Sequence, residues 1–150
     1  MEAIKDSIAI KAGPHVVYNA IIKIFSSENN YRAWHKSHTT CRWIKGTPFE
    51  KGSVLCAEEI LHGHPHKMKF MVTKNEANAR LEMKVLFPVS LICPKGGFYV
   101  EPGNGGTIFT AVLYFRFAGL FRKFAGDRVR EIMTHMKEEG EGLKRIIESA

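Results

Sequence analysis

Hydrophobic residues recur along this chain with two different periods, which separate helical ends from a middle made of strands. From about Leu120 to Ala150, apolar residues recur three or four positions apart, the spacing of one face of a helix. This apolar stripe consists of Val129, Ile132, Met136, Leu143, Ile146 and Ile147. The pattern predicts one long C-terminal helix that packs on the rest of the chain.

The N-terminal part of the chain predicts a strand followed by two helices. Residues 2–11 end in the alternating pattern typical of a strand. Gly13-Pro14 ends this strand and opens a helix that reaches about Ser27. A second, shorter helix is predicted near Glu28 to Ser37.

Alternating apolar and polar positions predict about six further strands, at residues 39–45, 53–62, 66–74, 79–87, 96–101 and 107–118. The turns between these strands are short, so consecutive strands should pair in an antiparallel sheet. The order of elements predicts an α+β domain, in which a curved sheet of about six to seven strands wraps around the C-terminal helix. Such a sheet cannot fill all the space beneath the helix, which leaves a cavity.

Two polar residues interrupt the apolar face of the predicted C-terminal helix. Glu139 falls within the stripe, and His135, one turn earlier, lies at its edge. A buried carboxylate is destabilising unless a partner compensates its charge. Side chains four residues apart share one helix face, so His135 and Glu139 could both bind one metal ion. Alternatively, Glu139 pairs with a basic side chain or with water near the helix end.

The register of one hairpin decides whether Glu58 or Glu59 faces the helix. On the following strand, the residues that alternate with lysines are predicted to face inward: His66, Met68 and Phe70. A turn at Gly63-His64 would pair Glu59 with Met68 and point Glu59 into the cavity. A loop longer or shorter by one residue would point Glu58 inward instead.

Inward candidates from three elements form a possible metal site. They are His38, Glu59, His135 and Glu139, with His35 as the alternative to His38. Two imidazoles and two carboxylates suit zinc or another divalent first-row ion. By contrast, His62, His64 and His66 are expected to form a polar, partly exposed turn.

Inward-facing apolar residues are predicted to surround the cavity or complete the core. The predicted ligand-cavity residues are Trp34, Met68, Phe70, Met83, Phe109, Leu113, Ile132 and Met136. Further core or lining positions are Leu81, Val85 and Phe115.

Composition narrows the function classes. A chain of 150 residues that is 45% apolar is expected to form one domain, residues 1–150. It has no apolar run long enough for a membrane span and opens on a strand-like segment rather than a signal peptide, which favours a cytoplasmic protein. Cys41, Cys56 and Cys93 lack paired spacing and are expected to be buried, reduced thiols. The formal charge of +7 is scattered without a basic run or an aromatic platform, which argues against nucleic-acid binding.

Several segments resemble the SRPBCC superfamily, which includes START domains, birch-pollen-allergen-type proteins and polyketide cyclases. The segments are Val16 to Phe25 after the Gly-Pro, Tyr31-Arg32-Ala33-Trp34, Gly52-Ser53-Val54, Glu59-Ile60-Leu61-His62-Gly63 and Glu141-Gly142-Leu143-Lys144. The resemblance spans essentially the whole chain and implies a single START-like domain with a helix-grip fold. This fold hosts carriers, cyclases and hydrolases, so the resemblance does not specify one function.

Within this superfamily, one segment is similar to the phloroglucinol hydrolase family, whose members bind zinc through His, Glu and a His-x-x-x-Glu element on the C-terminal helix. His135-Met136-Lys137-Glu138-Glu139 matches that last element, Trp34 followed by His38 resembles the region of the first ligand, and Glu59 matches more loosely. The additional flanking sequence of that family has no counterpart here, so its substrate specificity is not carried over.

This resemblance implies a zinc-dependent hydrolase that binds a hydrophobic small molecule, an acylphenol or polyketide-type carbonyl compound. The alternative is a non-catalytic carrier of a lipid, isoprenoid or aromatic metabolite, or a polyketide cyclase-like protein without metal.

Overall fold

The structure of the protein, a computed structural model, describes residues 1–61, 63–116 and 118–150, and within 118–125 it describes the side chain of Lys123 alone. The helices and strands are β1 (Glu2–Ile10), α1 (Pro14–Ile24), α2 (Glu28–Trp34), β2 (His38–Lys45), β3 (Val54–Leu61), β4 (His64–Glu76), β5 (Arg80–Val85), β6 (Lys95–Gly103), β7 (Gly106–Phe115) and α3 (Ala118–Glu148). A short 3₁₀ turn, Val89–Leu91, lies between β5 and β6.

The seven strands form one antiparallel sheet in the order β1-β7-β6-β5-β4-β3-β2. From β2 to β7, neighbours in the chain are also neighbours in the sheet, as short connections require. Helices α1 and α2 carry the chain from β1 at one edge to β2 at the other. This arrangement, a curved sheet with a long C-terminal helix, confirms the predicted α+β helix-grip class.

The apolar stripe of α3 packs on the inner face of the sheet, as its spacing predicts. Val129, Met136 and Leu143 are buried, and the remaining three stripe residues are partly buried against the same core. Leu143 has no exposed surface, and burying a leucine completely contributes about 1.5–3 kcal/mol. The stripe therefore holds α3 against the sheet along much of its length.

Helices α2 and α3 approach each other closely at Trp34. The indole Nε1–H of Trp34 donates to the backbone oxygen of Glu139 over 2.8 Å. A Cβ atom at Gly142 would lie only 2.5 Å from the backbone oxygen of Trp34, so this approach requires glycine. The contact brings the residues after α2 next to the middle of α3.

Helix α2 ends at Trp34 rather than near Ser37 as predicted. His35 has an extended backbone, with φ −151° and ψ 141°, and therefore cannot continue the helix. The backbone N–H of Ser37 donates to His35 Nδ1 over 2.9 Å, which stabilises the departing chain. As a result, His38 becomes the first residue of β2.

The β3–β4 hairpin differs from prediction in its pairing but not in its faces. Glu59 pairs with His66, and Leu61 pairs with His64, so the predicted pairing of Glu59 with Met68 is wrong by two residues. Because side chains alternate with a period of two, a shift of two residues keeps every side chain on its predicted face. His64 and His66 are exposed, as expected for a polar turn, while His62 lies outside the described residues.

Other boundaries move by a few residues. Strand β7 ends at Phe115 and α3 begins at Ala118, whereas the prediction placed the start of the helix near Leu120.

All three cysteines are free and buried. None of the described helices has a stretch long and apolar enough to cross a membrane.

Candidate functional site

Four side chains from three elements converge beneath α3. His38 opens β2, and Glu59 is its cross-strand partner on β3. His135 and Glu139 lie one turn apart on α3. One nitrogen or oxygen atom from each of the four lies within 4.8 Å of the others. The structure thus brings together the four residues that the sequence suggested as metal ligands.

The distances between these atoms fit a single metal ion. His38 Nε2 lies 2.9 Å from Glu139 Oε2 and 3.4 Å from Glu59 Oε2. His135 Nε2 lies 3.0 Å from Glu59 Oε2 and 3.4 Å from Glu139 Oε2. Tetrahedral zinc with ligand bonds of about 2.0–2.1 Å requires ligand atoms about 3.3 Å apart. The four nitrogen–oxygen distances lie near this value, and all four atoms lie within 4.8 Å of one another, so the four groups are close enough to share one ion.

The orientation of His38 is set by its second ring nitrogen. His38 Nδ1 lies 2.9 Å from the backbone oxygen of Tyr31, and because that oxygen only accepts, Nδ1 carries the proton. The imidazole also stacks on the ring of Tyr31, with centroids 4.1 Å apart and planes at 7°. Nε2 therefore faces the two carboxylates: it donates to Glu139 Oε2 over 2.9 Å when it is protonated and offers its lone pair to an ion when it is not. A backbone carbonyl orienting an imidazole in this way is typical of metal-binding histidines.

His35 is close to the same cluster, but both of its ring nitrogens have other partners. Nδ1 accepts the backbone N–H of Ser37, so Nε2 carries the proton and donates to Glu138 Oε1 over 3.0 Å. The nitrogens of His35, His38 and His135 also approach one another. Since neither nitrogen of His35 offers a free lone pair in this arrangement, the geometry favours His38 over His35 as a ligand.

His135 Nε2 is the buried polar atom that lacks a hydrogen-bond partner among the described residues. It lies 3.0 Å from Glu59 Oε2, but the angle of approach is not that of a hydrogen bond. Leaving such an atom unsatisfied costs about 1–3 kcal/mol. A cation between this nitrogen and the carboxylates would satisfy it.

The imidazoles and carboxylates shift one another's pKa values. Burial by itself lowers the pKa of both imidazoles, but Glu139 and Glu59 raise the pKa of His38 to about 9 and that of His135 to about 10. Burial opposes ionisation of Glu59, yet the two imidazoles lower its pKa to about 2 and also lower the pKa of Glu139. Without metal, the cluster is therefore a quartet of two imidazolium and two carboxylate groups with no net charge.

A cavity of about 380 Å³ lies between the sheet and α3, and Glu59, His135 and Glu139 line part of it. Most of the remaining lining is apolar. Seven of the predicted cavity residues contribute to the lining, namely Trp34, Met68, Phe70, Met83, Leu113, Ile132 and Met136. The cavity thus joins apolar space to the polar cluster.

Phe109, the eighth predicted cavity residue, lies in the core rather than among the lining residues. It is 2% exposed and stacks on Phe98, which lines the cavity, with ring centroids 5.7 Å apart. Phe109 is buried as predicted, but it packs against Phe98 and does not itself line the cavity. The sequence analysis missed Phe98 and its cross-strand partner Ala111, which the pairing of β6 with β7 would have placed on one face.

These features define a class of protein: an α+β helix-grip fold with an apolar cavity that carries a few convergent polar groups, the usual form of a small-molecule site. The family model for polyketide cyclase / dehydrase and lipid transport matches residues 1–148, and the chain belongs to this family. No curated protein sequence matches the chain.

Solved structures with the same fold have low sequence identity to this chain. TTHA0849 from Thermus thermophilus matches with a TM-score of 0.75 and 15% identity, over 99% of this chain and 98% of that one. Norcoclaurine synthase from Thalictrum flavum, in complex with dopamine and hydroxybenzaldehyde, matches with a TM-score of 0.74 and 8% identity, over 99% and 87%. The di-domain ARO/CYC BexL from the BE-7585A biosynthetic pathway matches with a TM-score of 0.73 and 15% identity, over 99% and 50%. These likenesses establish the fold.

Proposed function

We propose that this protein is a metal-dependent hydrolase acting on a hydrophobic carbonyl compound of the acylphenol or polyketide type. Zinc or another divalent ion would be held by His38, Glu59, His135 and Glu139. The observation that carries the proposal is the convergence of their four ligand atoms, with nitrogen–oxygen distances of 2.9–3.4 Å, beside an apolar cavity.

The chemistry of the donor set supports a divalent ion. Two imidazole nitrogens and two carboxylate oxygens form a combination that zinc accepts. Two carboxylates neutralise a dication, which matters because Glu59 and His135 are buried and an unpaired charge there would be costly. The carbonyl of Tyr31 supplies the outer partner that fixes one imidazole.

A divalent ion held by these four residues would supply Lewis acidity toward a carbonyl oxygen or activate water as a nucleophile. The residues of the chain orient the substrate and exclude bulk water. Trp34, Ile132 and Met136 line the cavity beside the cluster and would hold an aromatic or polyketide ring with its carbonyl toward Glu59 and Glu139. Hydrolysis of an acylphenol then adds water across the bond between ring and acyl carbon, releasing the phenol and a carboxylic acid.

His66 is a candidate for moving a proton in this reaction. It lies opposite Glu59 on the neighbouring strand and contributes to the cavity lining, outside the proposed ligand set. Imidazole is the side chain best suited to exchange protons near neutral pH. Replacing His66 by Ala should therefore lower turnover while leaving metal content unchanged, whereas loss of metal would show that His66 has a structural or ligand role.

Metal analysis of the purified protein, followed by an assay of acid release from a panel of acylphenols, tests the proposal. We expect about one zinc or other divalent ion per chain, and chelation should abolish acid release. Glu139→Gln should lower metal affinity strongly and abolish acid release. Glu138→Gln, one residue away on an exposed side chain that contacts His35, should keep both.

A non-catalytic carrier, or a cyclase-like protein without metal, is the second candidate. The quartet of two imidazolium and two carboxylate groups favours it, since the raised imidazole pKa values let the cluster satisfy its charges without an ion. A metal-free protein that co-purifies with a hydrophobic ligand would support the carrier and contradict the hydrolase.

A further inference from the structure

The connection between β5 and β6 exposes several large apolar side chains. Phe87 is 75% exposed, Leu91 60% and Ile92 49%. We call residues 86–94 the apolar loop. Single exposed hydrophobic residues are ordinary on protein surfaces, but several within one short segment indicate an interaction site.

The apolar loop is also a wall of the ligand cavity. Val89, Ile92 and Cys93 line the cavity, and Ile92 is also 49% exposed at the surface. The backbone N–H of Arg116 donates to the backbone oxygen of Ile92 over 2.8 Å, which ties the loop to the end of β7 just before α3. One short segment thus separates the cavity from solvent and carries apolar groups on its outer side.

Basic side chains flank the apolar loop. Lys84 and Lys95 precede and follow the loop, face each other directly across the β5–β6 pair, and are both exposed. Lys95 contacts the ring of Tyr114, but within the described part of the chain neither ammonium group has a carboxylate partner. Lys69 is also exposed, and its backbone oxygen accepts the N–H of Leu86 over 2.9 Å. Like charges directly opposed across strands are destabilising, and an anionic surface would relieve this repulsion.

Positively charged residues are also unevenly distributed along the sequence. Residues 60–73, 83–100 and 107–126 carry seven lysines and arginines and no aspartate or glutamate. The formal net charge of the whole chain is +7, so the rest of the chain is balanced. Of these basic residues, Lys69, Lys84, Lys95 and Arg116 lie beside the apolar loop in the sheet or are joined to it by backbone hydrogen bonds.

We propose that the apolar loop, with Lys69, Lys84 and Lys95 beside it, docks on the surface of an anionic phospholipid bilayer. Phe87 and Leu91 enter the interface between headgroups and acyl chains, while the lysines contact lipid phosphates. Docking places the cavity wall against the lipid, so that a hydrophobic ligand exchanges between bilayer and cavity without crossing water. This interaction does not depend on the metal cluster.

Vesicle cosedimentation with the full chain tests the docking surface. Wild type should bind vesicles of mixed phosphatidylcholine and phosphatidylglycerol at least about tenfold more tightly than phosphatidylcholine alone, with the difference shrinking as salt is added. The double variant Phe87→Ser/Leu91→Ser should bind the mixed vesicles at least about tenfold more weakly. Lys84→Glu/Lys95→Glu should lose the preference for anionic lipid.

Ile44→Ser/Lys45→Glu is the matched control, because these exposed residues lie at the opposite end of the sheet, where β2 pairs with the start of β3. It should bind like wild type. The variant Phe87→Trp supplies a second measurement, since its added fluorescence should shift to shorter wavelength only with anionic vesicles. All these positions are exposed, and melting curves will confirm that the variants fold.

Three results would overturn the proposal. The first is no vesicle binding by wild type. The second is undiminished binding by the Phe87/Leu91 double variant, which would indicate adsorption by charge alone. The third is concentration-dependent self-association of wild type, seen by light scattering and lost in that variant without any vesicle binding, which would make the loop a contact between copies. Binding should be equal with zinc and with EDTA, so failure here is distinguishable from failure of the metal proposal.

Discussion

Glu139→Gln is the substitution that most directly separates a metal site from an ion-pair quartet. It removes one anionic ligand, whose Oε2 lies 2.9 Å from His38 Nε2, without changing the backbone. The backbone oxygen of Glu139 can still accept the indole N–H of Trp34, so the contact between α2 and α3 is retained. If four ligands share the roughly 10–16 kcal/mol of a structural zinc site, one ligand accounts for about 2.5–4 kcal/mol. The metal Kd should therefore rise about 100- to 1000-fold.

Thermal melting with and without EDTA measures this difference. At a free metal concentration of about 1000 times Kd, binding stabilises the folded protein by about 4 kcal/mol. For a domain of this size that corresponds to a rise in Tm of about 8–16 °C. At the same metal concentration, Glu139→Gln should retain about 0.4–1.4 kcal/mol, a rise below about 6 °C. Glu138→Gln is the matched control and should respond to EDTA like wild type.

Two melting results would contradict a metal site at Glu139. If EDTA does not change the melt of wild type, no metal stabilises the cluster under those conditions. If Glu139→Leu then raises stability, Glu139 is a poorly compensated charge, because replacing such a group with an apolar residue often stabilises a protein by about 1–4 kcal/mol. These two results together would end the metal hypothesis.

Four further predictions follow from the same structure. His38→Ala should abolish metal binding measured by calorimetry, whereas His35→Ala should reduce it at most modestly; the reverse order would exchange their roles. In EDTA, the free energy of unfolding should fall as the pH rises from about 6.5 through about 9–10, because folding raises the pKa values of His38 and His135 above the unfolded value of about 6.5 and their contribution is complete only below that value. With zinc, the free energy of unfolding should instead rise from acid to neutral pH, because protons then cease to compete with the metal for its ligands. Parallel pH profiles with EDTA and with zinc in melting experiments would contradict a metal site. Ala111→Phe should fill cavity space and weaken binding of a fluorescent apolar probe while leaving metal content unchanged; unaltered probe binding would place the ligand elsewhere. Gly142→Ala should destabilise the protein by more than about 1 kcal/mol, because its Cβ would meet the Trp34 backbone. Gly126→Ala, whose Cβ meets nothing within 4 Å, should stabilise the protein by up to about 1 kcal/mol. Denaturant titration of both variants shows whether their stability changes have these opposite signs.

Local patterns determined the class of fold and the face on which each candidate ligand lies. The stripe on α3 places His135 and Glu139 on one side of a helix, because that depends only on a period of 3.6 residues. Glu59 faces inward even though its predicted pairing was wrong by two residues, because strand faces repeat every two residues. These conclusions tolerate errors in boundaries and pairing.

The distances between the candidate ligands, the burial of the apolar residues and the hydrogen-bond partners of each imidazole follow only from the tertiary structure. The sequence offered His35 as the alternative to His38, and the partners of the ring nitrogens distinguish the two. Glu138 and Ser37 engage both nitrogens of His35, whereas Tyr31 engages Nδ1 of His38 and leaves its Nε2 facing Glu59 and Glu139. Phe109 is buried as predicted, yet Phe98, on which it stacks, is the residue that lines the cavity. The periodicity of a sequence specifies on which face of a helix or strand a side chain lies. The partners of the two imidazoles and the lining of the cavity depend instead on the distances between neighbouring elements, and the packing of the whole chain sets those distances.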